Sequence, residues 1–420
     1  MQKILIFLLI LPALVSGQPV TDSLRIGLDS AEALFLRQNY QLLAQEYNID
    51  AQKAQVIQAR LFPNPNLSFA HVLYQTETKE FFPIGPNGET SAQLSQLLYL
   101  AGKRNKQIKI AEANVKLAEY QFFDLIRTLK FELRSDFFNI YYLKKSASVY
   151  NEEISSLQQV VKAFNDQLGK GYISEKEVVR IKAQLYALQA EYNSLTNQIN
   201  DLESELRLIL QIKKSAIDPQ VDTMAIAMLN PNQYPLNMLL DSAYKNRTDL
   251  LIARQNTQIS KLNYNYQKSL AVPDITLSLE YDKAGSYITN YNAIGAAIDL
   301  PFFSRNQGNI KSAKSMIDFN QTSEKGAQAT VEENVFRSLQ KAFDFEKMYL
   351  TIDPTFSGDF NRLLHEVLVN YQRRNISILD FLDFYDSYKE NILQINSIQF
   401  GRLSAFEELN FYTGTNFYNK

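Results

Sequence analysis

The chain has 420 residues, 45% of them hydrophobic, and a formal net charge of −2, so it can bury a large core but gives no electrostatic case for nucleic acid. It contains no cysteine, which excludes disulfides, thiolate metal sites and a cysteine nucleophile; its two histidines, His71 and His365, are too few for a His-rich metal cluster. With no GxSxG or Gly-rich phosphate loop either, neither an enzyme nor a cofactor is expected.

Residues 1–17 read as a secretory signal peptide. Lys3 precedes an apolar run from Ile4 to Leu14, and Val15, Ser16 and Gly17 supply small residues before a cleavage site at Gln18. The run is too short to span a bilayer, no later segment approaches eighteen consecutive apolar residues, and no cysteine stands near Gln18 to take a lipid anchor. The expectation is a periplasmic, secreted or β-barrel membrane protein.

Residues 18–218 form the first of two expected repeats. A helix begins near the LDSA motif, Leu28 to Ala31, with Asp29 as its cap. A β-hairpin follows at about 64–100: Asn66 to Gln75 and Ser91 to Leu100 flank a loop rich in Gly and Pro, and Pro63 and Pro65 mark the strand entry. From Lys103 to Leu168 there is neither Gly nor Pro, a helix of roughly 100 Å at about 1.5 Å per residue. Gly169 and Gly171 then suit a chain reversal, and Ser174 with Glu177 three residues on suits a capping box. Beyond it Ile181, Leu185, Leu188, Tyr192, Leu195, Ile199, Leu202, Leu206 and Ile209 alternate at spacings of four and three, the seam of a coiled-coil-like helix.

A linker at 219–235, holding three prolines, reads as a surface excursion. The second repeat, 236–420, starts with a helix in which Asp241 of a second LDSA, Leu240 to Ala243, is the expected cap. Its hairpin lies at about 273–300. Asp274 to Asp282 alternates strictly, with Ile275, Leu277, Leu279 and Tyr281 on one face and Thr276, Ser278, Glu280 and Asp282 on the other. Asn292 to Leu300 alternates likewise. A second long helical hairpin turns near 372–377, with Ser377 as N-cap; Thr351 to Phe360 breaks a helix that the first repeat keeps continuous. Besides LDSA, the pairs PNLS and PDITLS, IKIA and IKSA, and YIS and NIS support an internal duplication.

Four strands with one apolar face suit a membrane barrel wall, yet the smallest such barrel needs about eight. An open edge in lipid leaves backbone groups unsatisfied. Several chains must therefore share one barrel. The expected class is mainly α with a membrane β component: long helical hairpins forming an α-barrel, plus four strands per chain.

The sequence resembles the TolC-type outer-membrane efflux proteins. The resemblance covers the mature chain and is carried by the duplicated order, by QLLYLAGKRNKQIKIAEANV at Gln96 to Val115, by LPFFSRNQGNIKSAKS at Leu300 to Ser315, and by the two tip motifs. It implies a homotrimer with a shared 12-stranded β-barrel in outer-membrane lipid, a large periplasmic α-barrel, and an equatorial belt holding the linker and the C-terminal tail. It implies as partners a periplasmic adaptor (membrane fusion protein) and an inner-membrane transporter of RND or ABC type. The adaptor would dock on the tips: Gly169, Gly171, Tyr172, Ile173 and Ser174 in the first repeat, and Arg374, Asn375, Ile376 and Ser377 in the second. Arg374 stands where the family usually has Gly. Asp380, Asp383 and Tyr371 match the family's periplasmic gate, where rings of carboxylates attract cations. Read without the family, Asp380, Asp383 and Asp386 are a solvated acidic helix face. The competing whole-protein readings are a periplasmic coiled-coil adaptor or structural rod, which has no use for apolar strand faces, and an enzyme.

Overall fold

The computed structural model describes residues 23–85, 88–284, 287–353, 355–373 and 375–418; the expected signal peptide and Arg374 lie outside them. In chain order the elements are β1 (Ser23–Gly27), α1 (Leu28–Gln38), α2 (Tyr40–Arg60), β2 (Asn66–His71), β3 (Tyr74–Gln75), β4 (Glu80–Phe81), β5 (Thr90–Leu98), α3 (Lys103–Gly169), α4 (Glu175–Leu210), β6 (Ala216–Gln220) and α5 (Thr223–Ala227). A 3₁₀ turn at Pro231–Gln233 leads to α6 (Leu236–Asn246), α7 (Thr248–Leu270), β7 (Ile275–Asp282), β8 (Tyr291–Ile298), α8 (Gln307–Leu350), α9 (Phe356–Gln372) and α10 (Ile378–Thr413). The protein is mainly helical, and among the described residues no helix is long and apolar enough to cross a membrane.

These elements fall into two compact units. The first joins residues 23–35 to Asp136–Val221. Its core is an antiparallel helix pair, the end of α3 against α4. Lys144 Nζ lies 2.8 Å from Glu203, Tyr150 Oη donates to Glu191 at 3.3 Å, and Asn151 Nδ2 donates to Tyr192 Oη at 3.2 Å. The heptad residues of α4 are buried or half-buried along their whole length, from Ile181 to Ile209. β1 and β6 form a two-stranded parallel sheet, Ser23 opposite Ala216 through Gly27 opposite Gln220, with Ile26 and Ile217 buried. Lys144 also donates to the Ile217 carbonyl and so ties β6 to α3.

The second unit holds Leu36–Ser135 and Asp222–Lys420. α8 packs on α7 and α10, with α6 beside them, around Leu239, Leu250, Val335, Phe406, Leu409 and Tyr418. Gly401 of α10 lets the ring of Phe345 of α8 approach so closely that a Cβ there would sit 2.2 Å from Cε1. The unit also carries one antiparallel four-stranded sheet in the order β2-β5-β7-β8.

Three expectations are corrected. The strand expected from Asn66 to Gln75 ends at His71; Tyr74 and Gln75 then pair with Phe81 and Glu80 in a small hairpin of their own, turned by Lys79 at φ 59°. Neither expected aspartate is an N-cap: α1 starts at Leu28 and holds Asp29 inside its first turn, and α6 starts after Pro235 and places Asp241 in its middle. Residues 222–235 keep Met224 and Met228 exposed and are anchored at a few points: Ile226 and Pro231 are buried, and the buried Arg402 of α10 donates to the carbonyls of Ile226 (2.9 Å) and Leu229 (2.5 Å). Glu346 pairs with the same guanidinium at 2.5 Å, so its charge is compensated in the core.

Candidate functional site

The first tip is in the first unit. α3 ends at Gly169, Gly171 follows at φ +74°, and the Tyr172 amide reaches back to the Gln167 carbonyl at 3.0 Å while Gly171 reaches Leu168 at 2.9 Å. This is a glycine-based helix stop, needing the left-handed conformation that costs glycine little. Ser174 then caps α4. Its hydroxyl accepts from the Glu177 amide at 3.4 Å, and the Glu177 carboxylate accepts from the Ser174 amide at 3.0 Å. Ile173 before the cap and the buried Val178 after it occupy the staple positions, which leaves Tyr172 as the large apolar side chain at this turn that points to solvent, 66% exposed.

The second tip, in the second unit, lacks the glycines but repeats the capping box. α9 ends at Gln372; the Asn375 amide donates to the Asn370 carbonyl at 2.9 Å and its side chain to Asn370 Oδ1 at 3.1 Å. Ser377 caps α10, accepting from the Asp380 amide at 3.2 Å, while Asp380 Oδ2 accepts from the Ser377 amide at 3.2 Å and its hydroxyl at 2.7 Å. Half-buried Ile376 and fully buried Phe381 take the staple positions.

The residues expected at the gate thus have different surroundings. Asp380 is engaged in the cap, Asp383 is exposed one turn on, and Asp386 lies 3.7 Å from the buried Lys389. Tyr371 is buried and stacks on Phe381, ring centroids 4.4 Å apart and planes 13° apart; Tyr385 adds a third ring at 4.6 Å from Phe381. The aromatic stack joins α9 to α10 just behind the turn. Phe381 and Tyr385 were not singled out in the sequence, although the i to i+4 spacing of Phe381 and Tyr385 is the signal that pairs them on one helical face. The helix break before α9 has a local cause: the Asp353 carboxylate accepts from the Thr355 amide and hydroxyl at 2.9 and 2.8 Å, which holds its pKa below the usual carboxylate range and favours a turn.

A further candidate surface is the sheet. Cross-strand partners share a face, so the register sorts every side chain. One face carries Leu67, Phe69, Leu94, Leu277, Leu279 and Ile294, which are 43–83% exposed. The other carries Ser68, Gln93, Ser95, Ser278 and Glu280. His71 sits at the end of β2, its Nδ1 2.8 Å from Thr90 Oγ1. At the base of the sheet Lys103, 6% exposed, is 2.7 Å from Asp274 and donates to the Val272 carbonyl at 2.7 Å.

Residues 33–210 match the model of the family described as outer membrane efflux protein. The chain is 22% identical over 358 residues to the cobalt-zinc-cadmium resistance protein CzcC of Cupriavidus metallidurans, covering 85% of this chain and 82% of that one. Among solved structures, the CmeC outer membrane channel of Campylobacter jejuni superposes with a TM-score of 0.77 at 14% identity, over 93% of this chain and 86% of that one. A membrane protein from Pseudomonas aeruginosa gives 0.76 at 15% identity, over 92% of each. The resemblance read from the sequence therefore holds at two levels, the matched family segment and the fold.

Proposed function

We propose that the chain, whose residues 33–210 match the outer membrane efflux protein family and whose fold is like that of the CmeC channel, is one subunit of a passive exit duct across the outer membrane, serving a tripartite efflux or type I secretion system. The observation that carries this reading is the one-sided sheet: among the described residues a predominantly apolar face is exposed, and two outer strands, β2 and β8, have no further partner. Exposed apolar area of this kind marks a membrane or partner surface. In lipid the open edges must be satisfied by strands of other copies, and three copies give twelve strands. The long paired helices would then stand in the periplasm. The recurrence of helix, hairpin and long helices on both sides of the 219–235 linker fits a duplicated chain with repeats at 18–218 and 236–420.

In this reading the tips, Gly169 to Ser174 and Arg374 to Ser377, receive the periplasmic adaptor, and an inner-membrane transporter supplies the energy. Asp380 and Asp383, backed by Tyr371, ring the periplasmic mouth. The duct hydrolyses nothing.

Membrane fractionation with chemical cross-linking tests the whole. The protein should require detergent for extraction from outer membranes and cross-link to trimers. Release by carbonate as a soluble species would overturn the duct and favour the periplasmic adaptor. For the gate, trimers carrying Asp380→Ala plus Asp383→Ala should conduct more in planar bilayers and prefer cations less; unchanged conductance and preference would remove the gate assignment. The resemblance to a cobalt-zinc-cadmium resistance protein makes divalent metal ions the first cargo to examine. A strain lacking the gene should lose tolerance to zinc, cobalt or cadmium, and unchanged tolerance to all three would rule that cargo out.

A further inference from the structure

Across β2, β5, β7 and β8 the only charged side chains are Glu280 and Asp282, both acidic and both on the polar face. Asp282 ends its strand and accepts from the Ala284 amide at 3.1 Å. Glu280 lies inside the sheet, and its carboxylate is held from two strands: Gln93 Nε2 donates to Oε1 at 2.7 Å and Ser278 Oγ donates to the same oxygen at 3.1 Å. On the third strand Gly295 leaves the room this requires, since a Cβ there would lie 2.4 Å from Ser278 Oγ and 3.4 Å from Glu280 Oε1. Both donors are neutral, so the carboxylate is oriented without being neutralised, and it remains exposed.

We propose that Glu280 is a charge-selecting residue of the duct, placed in the strand region and separate from the aspartates of the tip. The inference rests on the proposed function, in which the apolar face meets lipid and the polar face meets the water of the pore. Symmetry then sets one fixed carboxylate per copy at a single level. A ring of carboxylates in a low-dielectric wall attracts cations and repels anions, and the wall focuses its field. A merely structural role for Glu280, cross-linking β5 to β7, predicts no dependence on its charge.

The test uses assembled full-length trimers in planar bilayers under a potassium chloride gradient, in a background of Asp380→Ala plus Asp383→Ala that removes both tip carboxylates. Glu280→Gln keeps the side-chain shape and an acceptor for Gln93 and Ser278 but removes the charge. The preference for potassium over chloride should fall toward parity, and Glu280→Lys should turn it toward chloride. Both effects should weaken as salt is raised, because screening shortens the reach of the ring. Conduction with an unchanged ion preference in Glu280→Gln overturns the proposal and leaves the duct standing. Absence of conductance in the parent trimers overturns the duct reading, and this one with it.

Discussion

The Asp380 carboxylate closes the cap of α10, so replacing it removes a helix cap together with a charge. Ser377→Ala separates the two. It should loosen the start of α10 by about 1 kcal/mol, speeding amide exchange there by roughly fivefold, without altering ion preference. Hydrogen exchange read by mass spectrometry checks the first outcome and bilayer recording the second. Asp249 at the start of α7 is a different case. Burial alone would raise its pKa, but Arg247 at 2.5 Å, Arg127 and the Leu250 amide hold it below the ordinary carboxylate range. A folded-state pKa below the unfolded one gives stability that is present above the unfolded value and lost as pH falls through the folded one. Asp249→Asn should therefore lower the melting temperature at neutral pH, and the gap from the parent should close as the solution is acidified below pH about 4. A gap that persisted there would assign the effect to packing. Deeper in the same unit, Arg134 donates to Glu407 at 2.6 and 2.9 Å, with both side chains buried. Arg134→Met should cost about 3–5 kcal/mol by stranding the carboxylate, and adding Glu407→Leu should recover much of it in thermal melts of the solubilised protein.

At the scale of elements, the close approach of α8 and α10 at Gly401 makes a sharper demand than the heptads do. Gly401→Leu places atoms where the Phe345 ring stands and should destabilise by about 1–3 kcal/mol, with Phe345→Ala in the same chain restoring part of the loss. Thermal unfolding of the two variants decides it. Elements whose signal is local were legible in the sequence. The strict alternation of Ile275 to Tyr281 gives β7 its face directly, and the seam from Ile181 to Ile209 gives α4. Ser174 and Ser377 marked the helix starts they cap. What was not legible depends on partners distant in sequence. Five residues of β1 find β6 across the whole first helical hairpin, and nothing in SLRIG announces that pairing. Arg402 reads as an ordinary helical arginine until the carbonyls of Ile226 and Leu229 arrive beside it. Asp241 misled because its motif, LDSA, begins a helix in one place and falls inside one in the other; Pro235 decides the difference.

For the molecule as a whole, the decisive property is that, among the described residues, its sheet keeps an exposed apolar face and two outer strands without a further partner. Leu279→Arg, on the apolar face of a central strand, should cost about 2–4 kcal/mol at mid-bilayer depth and abolish outer-membrane assembly. Ser95→Arg, on the neighbouring strand β5 opposite Ser278 and on the polar face, should assemble normally and change only conduction. Heat-modifiable migration of outer-membrane extracts distinguishes these outcomes, and equal tolerance of both substitutions would contradict the proposed orientation of the sheet.

The pairing of β1 with β6 also sets an order in time. In the proposed duct, a chain exported from its N-terminus would present Ser23 to Gly27 long before Ala216 to Gln220 exist outside the membrane. Until then β1 has exposed amides and carbonyls and no partner of its own. The tie must therefore be among the last contacts made in its unit, after α3 and α4 have zipped together. A chain stopped before residue 216 would carry a formed helical hairpin with a loose leading end, and limited proteolysis of nascent fragments would find that end cut first.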